Sequence, residues 1–578
     1  MRKKTLAALG AAALVAAAMA GPAGASTAKS QGATSLTKGA ATNYVVLLKK
    51  GASVSRAAAD LRASGVKVTS VNTAIGMITV TTTDADFRAN GQQVAGVQGV
   101  AEDRSIGRAP ERKPAVVEQE NLRAAKAAKS GKAKPAKPHG KKSTSDPLDS
   151  NLWGMRMIKA DQAHAYELGD KRVRVGVMDT GVQADHPDIH PNFDYKLSRN
   201  FTTDIPEIDG PCEVASCVDP VGEDDNGHGT HVSGTIAGAL NGFGVSGVAP
   251  KVDIVEVRAG QDSGYFFLGP TANALTYSGD QGLDAVNMSF YVDPWLYNCA
   301  GGAPEDTPEQ AADQDLIIET MTRALDYAHG KGVTLLAAAG NDHTDLANPG
   351  TDESSPDYGE PPHSRTIDNS SCADLPVEGP HVLGITALGP STRKSDYSNW
   401  STEPRSGEVE LSGPGGWYRD GFGTPTYRTN GNLILSSVPL VALQDSGEVD
   451  DNGNITPVGE STGVIKQCQA KPAKGTTRCG YYAWFQGTSM ATPHATGVAA
   501  LAISAHGKNR GKSGFGMNPD AVRDLMMSSA TNHACPAGGV QDYNAEGRTP
   551  DYTARCVGST DFNGFYGDGI DNALGVVR

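Results

Sequence analysis

Gly487-Thr488-Ser489-Met490-Ala491-Thr492-Pro493-His494 sets a serine between a small-residue turn and an apolar run, Thr496 to Ile503, that reads as a buried helix. Ser489 falls where loop becomes helix. Backbone N–H groups are unpaired at a helix start, and the helix dipole favours negative charge there. A serine whose attack on a carbonyl creates an oxyanion wants that position. Three further segments belong with it. Arg172-Val173-Arg174-Val175-Gly176-Val177-Met178 reads as a strand that runs into Asp179-Thr180-Gly181-Val182. Asp224-Asp225-Asn226-Gly227-His228-Gly229-Thr230-His231 introduces a second apolar helix pattern. Val333 to Ala339 reads as a buried strand that ends in Gly340-Asn341.

These residue types suit nucleophilic catalysis. A serine hydroxyl is a weak nucleophile until an adjacent base removes its proton. Imidazole titrates near neutral pH, which makes His228 the candidate base. Asp179 would fix the tautomer of His228 and stabilise the imidazolium. Each residue also has an ordinary role open to it. An aspartate after a strand is commonly a turn former or helix cap, and Asn341 alone reads as a turn residue. His231 and His494 are read as structural. The joint occurrence of the four residues favours chemistry.

In the chain order Asp179, His228, Ser489, the segments resemble the three motifs of the subtilisin-like serine proteases (subtilases), and the resemblance spans roughly residues 148 to 577. It implies a secreted serine endopeptidase with a mostly parallel, doubly wound α/β sheet. It also implies that Asn341 donates a side-chain hydrogen bond to the oxyanion, with the backbone N–H of Ser489 as second donor. Substrate would pair along Ser289, Phe290 and Tyr291 and pass Gly487. The family commonly has glycine where Tyr291 stands, so a narrower specificity is expected. A dedicated processing protease is the alternative reading. Loss of an active-site residue would favour a non-catalytic binding protein, and none is lost. The intact His228 motif disfavours the serine-carboxyl variant with a glutamate base.

The flanking sequence fits an exported zymogen. Arg2-Lys3-Lys4, an Ala/Leu-rich stretch and Ala23-Gly24-Ala25 read as a signal peptide over residues 1–25. Residues 26–107 alternate as β-α-β-β-α-β, which predicts a ferredoxin-like α+β unit. By the resemblance this is an inhibitory prosegment of the I9 type and the enzyme's own intramolecular partner. Residues 108–147, rich in Lys, Ala and Pro, read as a disordered linker with a helical patch near residues 115–128. The catalytic domain would occupy residues 148–578 and end in a closing helix at Gly567–Leu574, with no further module.

Residues 1–142 carry 23 Lys+Arg and 8 Asp+Glu, net +15, whereas residues 143–578 carry 28 and 57, net −29. Opposite signs favour association of the two parts over long range. The acidic remainder argues against a nucleic-acid partner and against anionic membranes. No stretch beyond the signal reaches about 18 apolar residues, so no membrane association is expected after its removal. A monomer acting on protein and peptide substrates is expected. All 8 cysteines lie after residue 142, which suggests disulfides in an exported chain. Proximity favours Cys212–Cys217, Cys468–Cys479 and Cys535–Cys556, leaving Cys299 with Cys372. No CxxC pair supports zinc. No cofactor is required for catalysis. Structural calcium is plausible from the family, and Glu448–Asn454 is an acidic run of the right chemistry but without a recognisable ligand spacing. That run sits in an expected polar insertion, Leu440–Gly480, and a second polar stretch covers Asp342–Cys372.

Overall fold

The computed structural model describes residues 41–103, 105–108, 145–290, 294–357, 361–509 and 514–578. The expected signal peptide, most of the Lys-rich linker with its helical patch, and Tyr291 lie outside the described residues.

The N-terminal part runs β1 (Thr42–Leu48), α1 (Val54–Ala63), β2 (Lys67–Asn72), β3 (Met77–Thr82), α2 (Phe87–Gln92), β4 (Val97–Glu102) and β5 (Ser105–Arg108). The first four strands form an antiparallel sheet in the order β2-β3-β1-β4. Side chains alternate across β1 because a strand has period two. Tyr44, Val46 and Leu48 therefore pack with Ala57, Leu61 and Phe87 of the two helices. Val45 and Leu47 join a different core, shared with Leu316, Ile317 and Met321.

The larger part contains β6 (Arg174–Met178), β7 (Arg199–Asn200), α3 (His228–Ala237), β8 (Asp253–Arg258), β9 (Tyr265–Phe267), α4 (Leu268–Gln281) and β10 (Ala285–Met288). It continues with α5 (Pro308–Gly330), β11 (Thr334–Ala338), β12 (Val382–Leu388), β13 (Leu411–Pro414), α6 (Thr488–His506), α7 (Pro519–Ser529) and α8 (Ala573–Val576). One sheet takes the order β13-β12-β11-β10-β6-β8-β7. Every pairing in it is parallel. Parallel strands covered on both faces need continuous apolar runs. Leu335-Leu336-Ala337-Ala338 supplies one, with Leu336 in the core under α3 and α6 and Leu335 in the core under α4 and α5. From β6 the chain moves to β8 on one side and later to β10 on the other. The crevice beyond β6 is thus a topological switch point, where open α/β sheets place ligands.

The β1–β4 sheet lies on α4 and α5. The Arg323 guanidinium donates to the carbonyls of Leu48 at 2.8 Å and Ile75 at 3.0 Å. Arg88 pairs with the buried Asp313 carboxylate. The carboxylate of Asp103 accepts the Gly269 N–H at 3.0 Å, at the start of α4. β5 pairs antiparallel with β9, Ser105 opposite Phe267 and Arg108 opposite Tyr265.

All four disulfides follow the pairing expected from proximity. Three other expectations change. The closing helix is confined to Ala573–Val576. Gly567 and Gly569 before it hold φ of 60° and 139°, outside helical geometry. The 440–480 insertion is not a plain loop. It contains helices Leu440–Asp445 and Pro457–Thr462 and a strand Ile465–Cys468 paired with Cys479–Phe485, Cys468 opposite Cys479. In the 342–372 stretch, Gly350–Asp352 pairs with Arg365–Ile367. The buried Arg365 there binds Asp306 and Asp352. Among the described residues no helix is long and apolar enough to cross a membrane.

Candidate active site

Asp179 follows β6, and His228 is the first residue of α3. His228 Nδ1 lies 2.8 Å from Asp179 Oδ1, with both side chains buried. Asp179 Oδ1 also accepts the Thr180 N–H at 2.8 Å. The approach is tight. A Cβ on Gly229 would sit 2.1 Å from the Gly181 carbonyl oxygen and 3.0 Å from Asp179 Cβ. Glycine at that position lets the helix start meet the loop.

Asp224 fixes the pair from behind, a role the sequence reading missed. Its buried carboxylate accepts N–H bonds from Gly227 at 2.9 Å and Thr230 at 2.9 Å, together with the Thr230 hydroxyl at 2.6 Å. These satisfy the open start of α3. Thr180 Oγ1 donates to the same carboxylate at 3.0 Å, which ties the Asp179 loop to the helix that carries His228. Burial raises the Asp224 carboxyl above the usual range, against the lowering effect of those donors. An aspartate before a Gly-His-x-Thr helix start is the signal that could have found it.

Ser489 occupies the second residue of α6, after Gly487 at the N-cap. Pro493 within this helix has no N–H, so the Ser489 carbonyl lacks its usual helical donor. The hydroxyl of Ser289 fills that gap at 3.0 Å. Ser289 is in turn held by Asn287 Nδ2 at 2.7 Å, and Asn287 by Thr496 Oγ1 at 3.0 Å. Ser489 Oγ donates to the Ser289 carbonyl at 3.1 Å, and His228 Nε2 is buried without a hydrogen-bond partner. The expected Ser489–His228 bond is therefore not formed. The hydroxyl is a rotor that must leave the Ser289 carbonyl to reach imidazole.

Asn341 follows β11 and Gly340. Its Oδ1 accepts from Thr488 N–H at 2.8 Å and Thr488 Oγ1 at 2.9 Å. That fixes the amide with Nδ2 as the group left to donate. A Cβ on Gly487 would lie 3.6 Å from Ser489 N and 3.8 Å from Asn341 Nδ2. The two donors face one small space that glycine leaves open. Phe290 is buried and stacks on Phe266 of β9, ring centroids 4.1 Å apart, so its side chain belongs to the core. His231 stacks on Phe485 and lies 3.1 Å from the Ile434 carbonyl, and His494 lies 2.7 Å from the Met490 carbonyl. Burial lowers His494 to about 4. Both fit structural roles.

Two carboxylate sets beside the His228 turn have oxygen donors close enough for a cation. They are Asp204, Glu213 and Asp262, and Asp219, Asp225 and Asp262. Both oxygens of the buried Asp204 lack a hydrogen-bond partner. Burial, opposed by Arg258, pushes Asp262 up to about 8. Burial with Asp224 and Asp219 nearby brings Asp225 to about 7. Hard oxygen ligands of this kind suit calcium. The expected Glu448–Asn454 run is spoken for differently. Asp450 Oδ1 accepts the N–H groups of Asn452 and Asn454, and Glu448 takes the hydroxyls of Ser446 and Thr462.

A parallel sheet that gathers a buried carboxylate, an imidazole and a helix-start serine at one end of its strands defines an α/β serine endopeptidase. The subtilase family model matches residues 170–567, and the chain belongs to that family. Subtilisin DY of Bacillus licheniformis is 23% identical over 380 residues, covering 66% of this chain and 91% of that protein. An intracellular serine protease of Paenibacillus polymyxa is 29% identical over 356 residues, covering 60% of this chain and 71% of its own. Among solved structures, the epidermin leader peptide processing serine protease of Staphylococcus aureus has a TM-score of 0.59 at 18% identity, covering 93% of this chain and 98% of that one. That likeness is one of fold.

Proposed function

We propose that this chain is a secreted endopeptidase, made as a self-processed zymogen, that hydrolyses peptide bonds through an acyl-enzyme on Ser489. The observation that carries the reading is the His228–Asp179 contact beside a serine whose N–H and the Asn341 amide face the same open space. His228 Nε2 takes the Ser489 proton as Oγ bonds to the scissile carbonyl carbon. The carbonyl oxygen becomes an oxyanion held by Asn341 Nδ2 and Ser489 N–H. His228 then returns the proton to the leaving amine, and water repeats the sequence to release the acid. Asp179 keeps Nδ1 protonated throughout, so that Nε2 is the accepting nitrogen. Asn341→Leu should lower kcat on the order of 10²- to 10³-fold with little change in KM. Steady-state kinetics on one fluorogenic peptide measures this.

Residues 26–107 act as the ferredoxin-like prosegment, with β5 occupying the edge strand β9 beside the cleft. The reading is supported by the antiparallel register of Ser105–Arg108 on Tyr265–Phe267 and by the core shared with α4 and α5. If the charge asymmetry aids this contact, the inhibition constant of the isolated prosegment should weaken as salt rises from low to high. A constant that stays level would remove that electrostatic contribution.

Calcium is the cation proposed for the Asp204 and Asp262 sets, where it would tie the loop before His228 to the segment after β8. At ~100 times its Kd, a bound ion adds about 2.7 kcal/mol, or roughly 3 °C in Tm for a domain of this size. A chelator should remove that increment and added calcium restore it.

Purifying the secreted protein, sequencing its N-terminus and assaying peptide hydrolysis tests the whole reading. A new N-terminus beyond residue 107 together with hydrolysis supports it. An unprocessed, inactive protein would favour the binding-protein alternative. The processing-protease alternative predicts activity on few peptides.

A further inference from the structure

β10 and β11 are neighbouring parallel strands, with Met288 opposite Ala337. Their continuations, Ser289 on one side and Gly340-Asn341 on the other, flank Ser489. Ser489 Oγ sits on the Ser289 carbonyl, and Asn341 is bound to Thr488. These two continuations border the space beside Ser489 Oγ on the side of β10 and β11, so a side chain packed behind Gly340 is a candidate to meet the substrate residue that precedes the scissile bond.

Asp374 lies there. A Cβ on Gly340 would be 2.3 Å from Asn399 Nδ2 and 3.5 Å from Asp374 Oδ2, so this amide and this carboxylate both pack against the residue that precedes Asn341. Asp374 is 1% exposed, and neither carboxylate oxygen has a hydrogen-bond partner. Its N–H goes to the Glu378 carboxylate. Cys372–Ala373, immediately before it, is pinned to Asn298–Cys299 by strand pairing and a disulfide. Asp374 is thus rigidly placed.

Among the described residues no Lys, Arg or His forms an ion pair with Asp374. Glu378 and Asp342 add negative charge, and with burial they hold its carboxyl well above the usual range. The Tyr297 hydroxyl and Asn399 Nδ2 are also buried without partners. Asp306 and Asp352 are matched by Arg365 and Asp396 by Arg548, whereas Asp204 and Asp571 share with Asp374 a pair of buried carboxylate oxygens without a partner; of these three it is Asp374 that lies against Gly340. A buried carboxylate left unmatched beside a cleft is costly unless a ligand completes it.

We propose that Asp374 is the specificity carboxylate at the base of the S1 pocket, and that the enzyme cleaves after arginine and lysine. The inference rests on the acyl-enzyme reading at Ser489. An arginine guanidinium can meet both carboxylate oxygens at once, so it should be preferred to lysine. A leucine there would leave the carboxylate buried and unpaired, and sites built to bind a polar group reject analogues lacking it strongly.

The test uses the mature enzyme and four fluorogenic peptides that differ at P1 alone: Arg, Lys, Leu and Glu. Active sites are titrated with a fluorophosphonate. The expected kcat/KM for Arg exceeds that for Leu by at least ~10²-fold, with Glu uncleaved. Benzamidine, an amidinium without a peptide, should inhibit competitively. In Asp374→Asn the Arg:Leu ratio should fall by about 10²-fold. Should that variant fail to fold, the wild-type ratio and benzamidine decide the question. Preference for Leu by fully titrated enzyme, or no competition by benzamidine, overturns the inference and leaves the protease reading standing. An unchanged ratio in a folded Asp374→Asn overturns the assignment to this residue. Absence of both titration and cleavage overturns the protease reading itself.

Discussion

Replacing Ser489 by alanine is expected to lower kcat/KM for any peptide on the order of 10⁶-fold, leaving the residual rate that binding and oxyanion donors give alone. The fold should persist. Ser489 Oγ makes one hydrogen bond, to the Ser289 carbonyl, and losing such a bond costs about 1 kcal/mol. The Ser289 hydroxyl still satisfies the Ser489 carbonyl, because that bond uses backbone of residue 489. If maturation is intramolecular, the variant should also be recovered with residues 26–107 still attached. Intact mass and a progress curve together measure both effects.

Asp179→Asn is expected to cost on the order of 10⁴-fold in kcat, with KM little altered. Asp179 Oδ1 accepts from both His228 Nδ1 and Thr180 N–H. One oxygen, Oδ1, meets both donors, and Oδ2 is buried without a partner. An amide that keeps its oxygen at that position still accepts from Nδ1 but lacks the charge that stabilises the imidazolium, and a flipped amide sets its NH₂ against Nδ1 and forces the proton onto Nε2, the atom that must accept from Ser489. The volume is unchanged and the carboxylate is fully buried, so the defect is one of charge and tautomer. Equal loss in the Ser489→Ala and doubly substituted enzymes would show the residues acting as one unit.

Much of this was legible along the chain, and the failures have physical causes. β11, Thr334–Ala338, falls within the strand read over Val333 to Ala339, because that stretch is a short apolar run closed by Gly340. α5 begins at Pro308, where no apolar periodicity marks it in the sequence. Its first turns are polar, and Thr307 with Gln310 forms a capping box there. Asp313 in that stretch is buried under Arg88, a partner far away in sequence. The positions of Asp179, His228, Asn341 and Ser489 at the ends and starts of elements were legible because the local patterning there is strong. Asp374 could not. Its meaning comes from Gly340, distant in sequence, lying against it and from the lack of an ion pair to it among the described residues. The Ser489 hydroxyl orientation was equally hidden, since a rotor is set by its three-dimensional neighbours. The disulfides were readable because three of the pairs close loops with separations of 5, 11 and 21 residues.

The most direct test is to treat the purified protein with a fluorophosphonate and locate the adduct by intact mass and peptide mapping. The account predicts one adduct per molecule, on Ser489, with hydrolysis lost in proportion to labelling and no labelling in His228→Ala. Hydrolysis that survives complete labelling of Ser489, or loss of activity through an adduct at another residue, would contradict it.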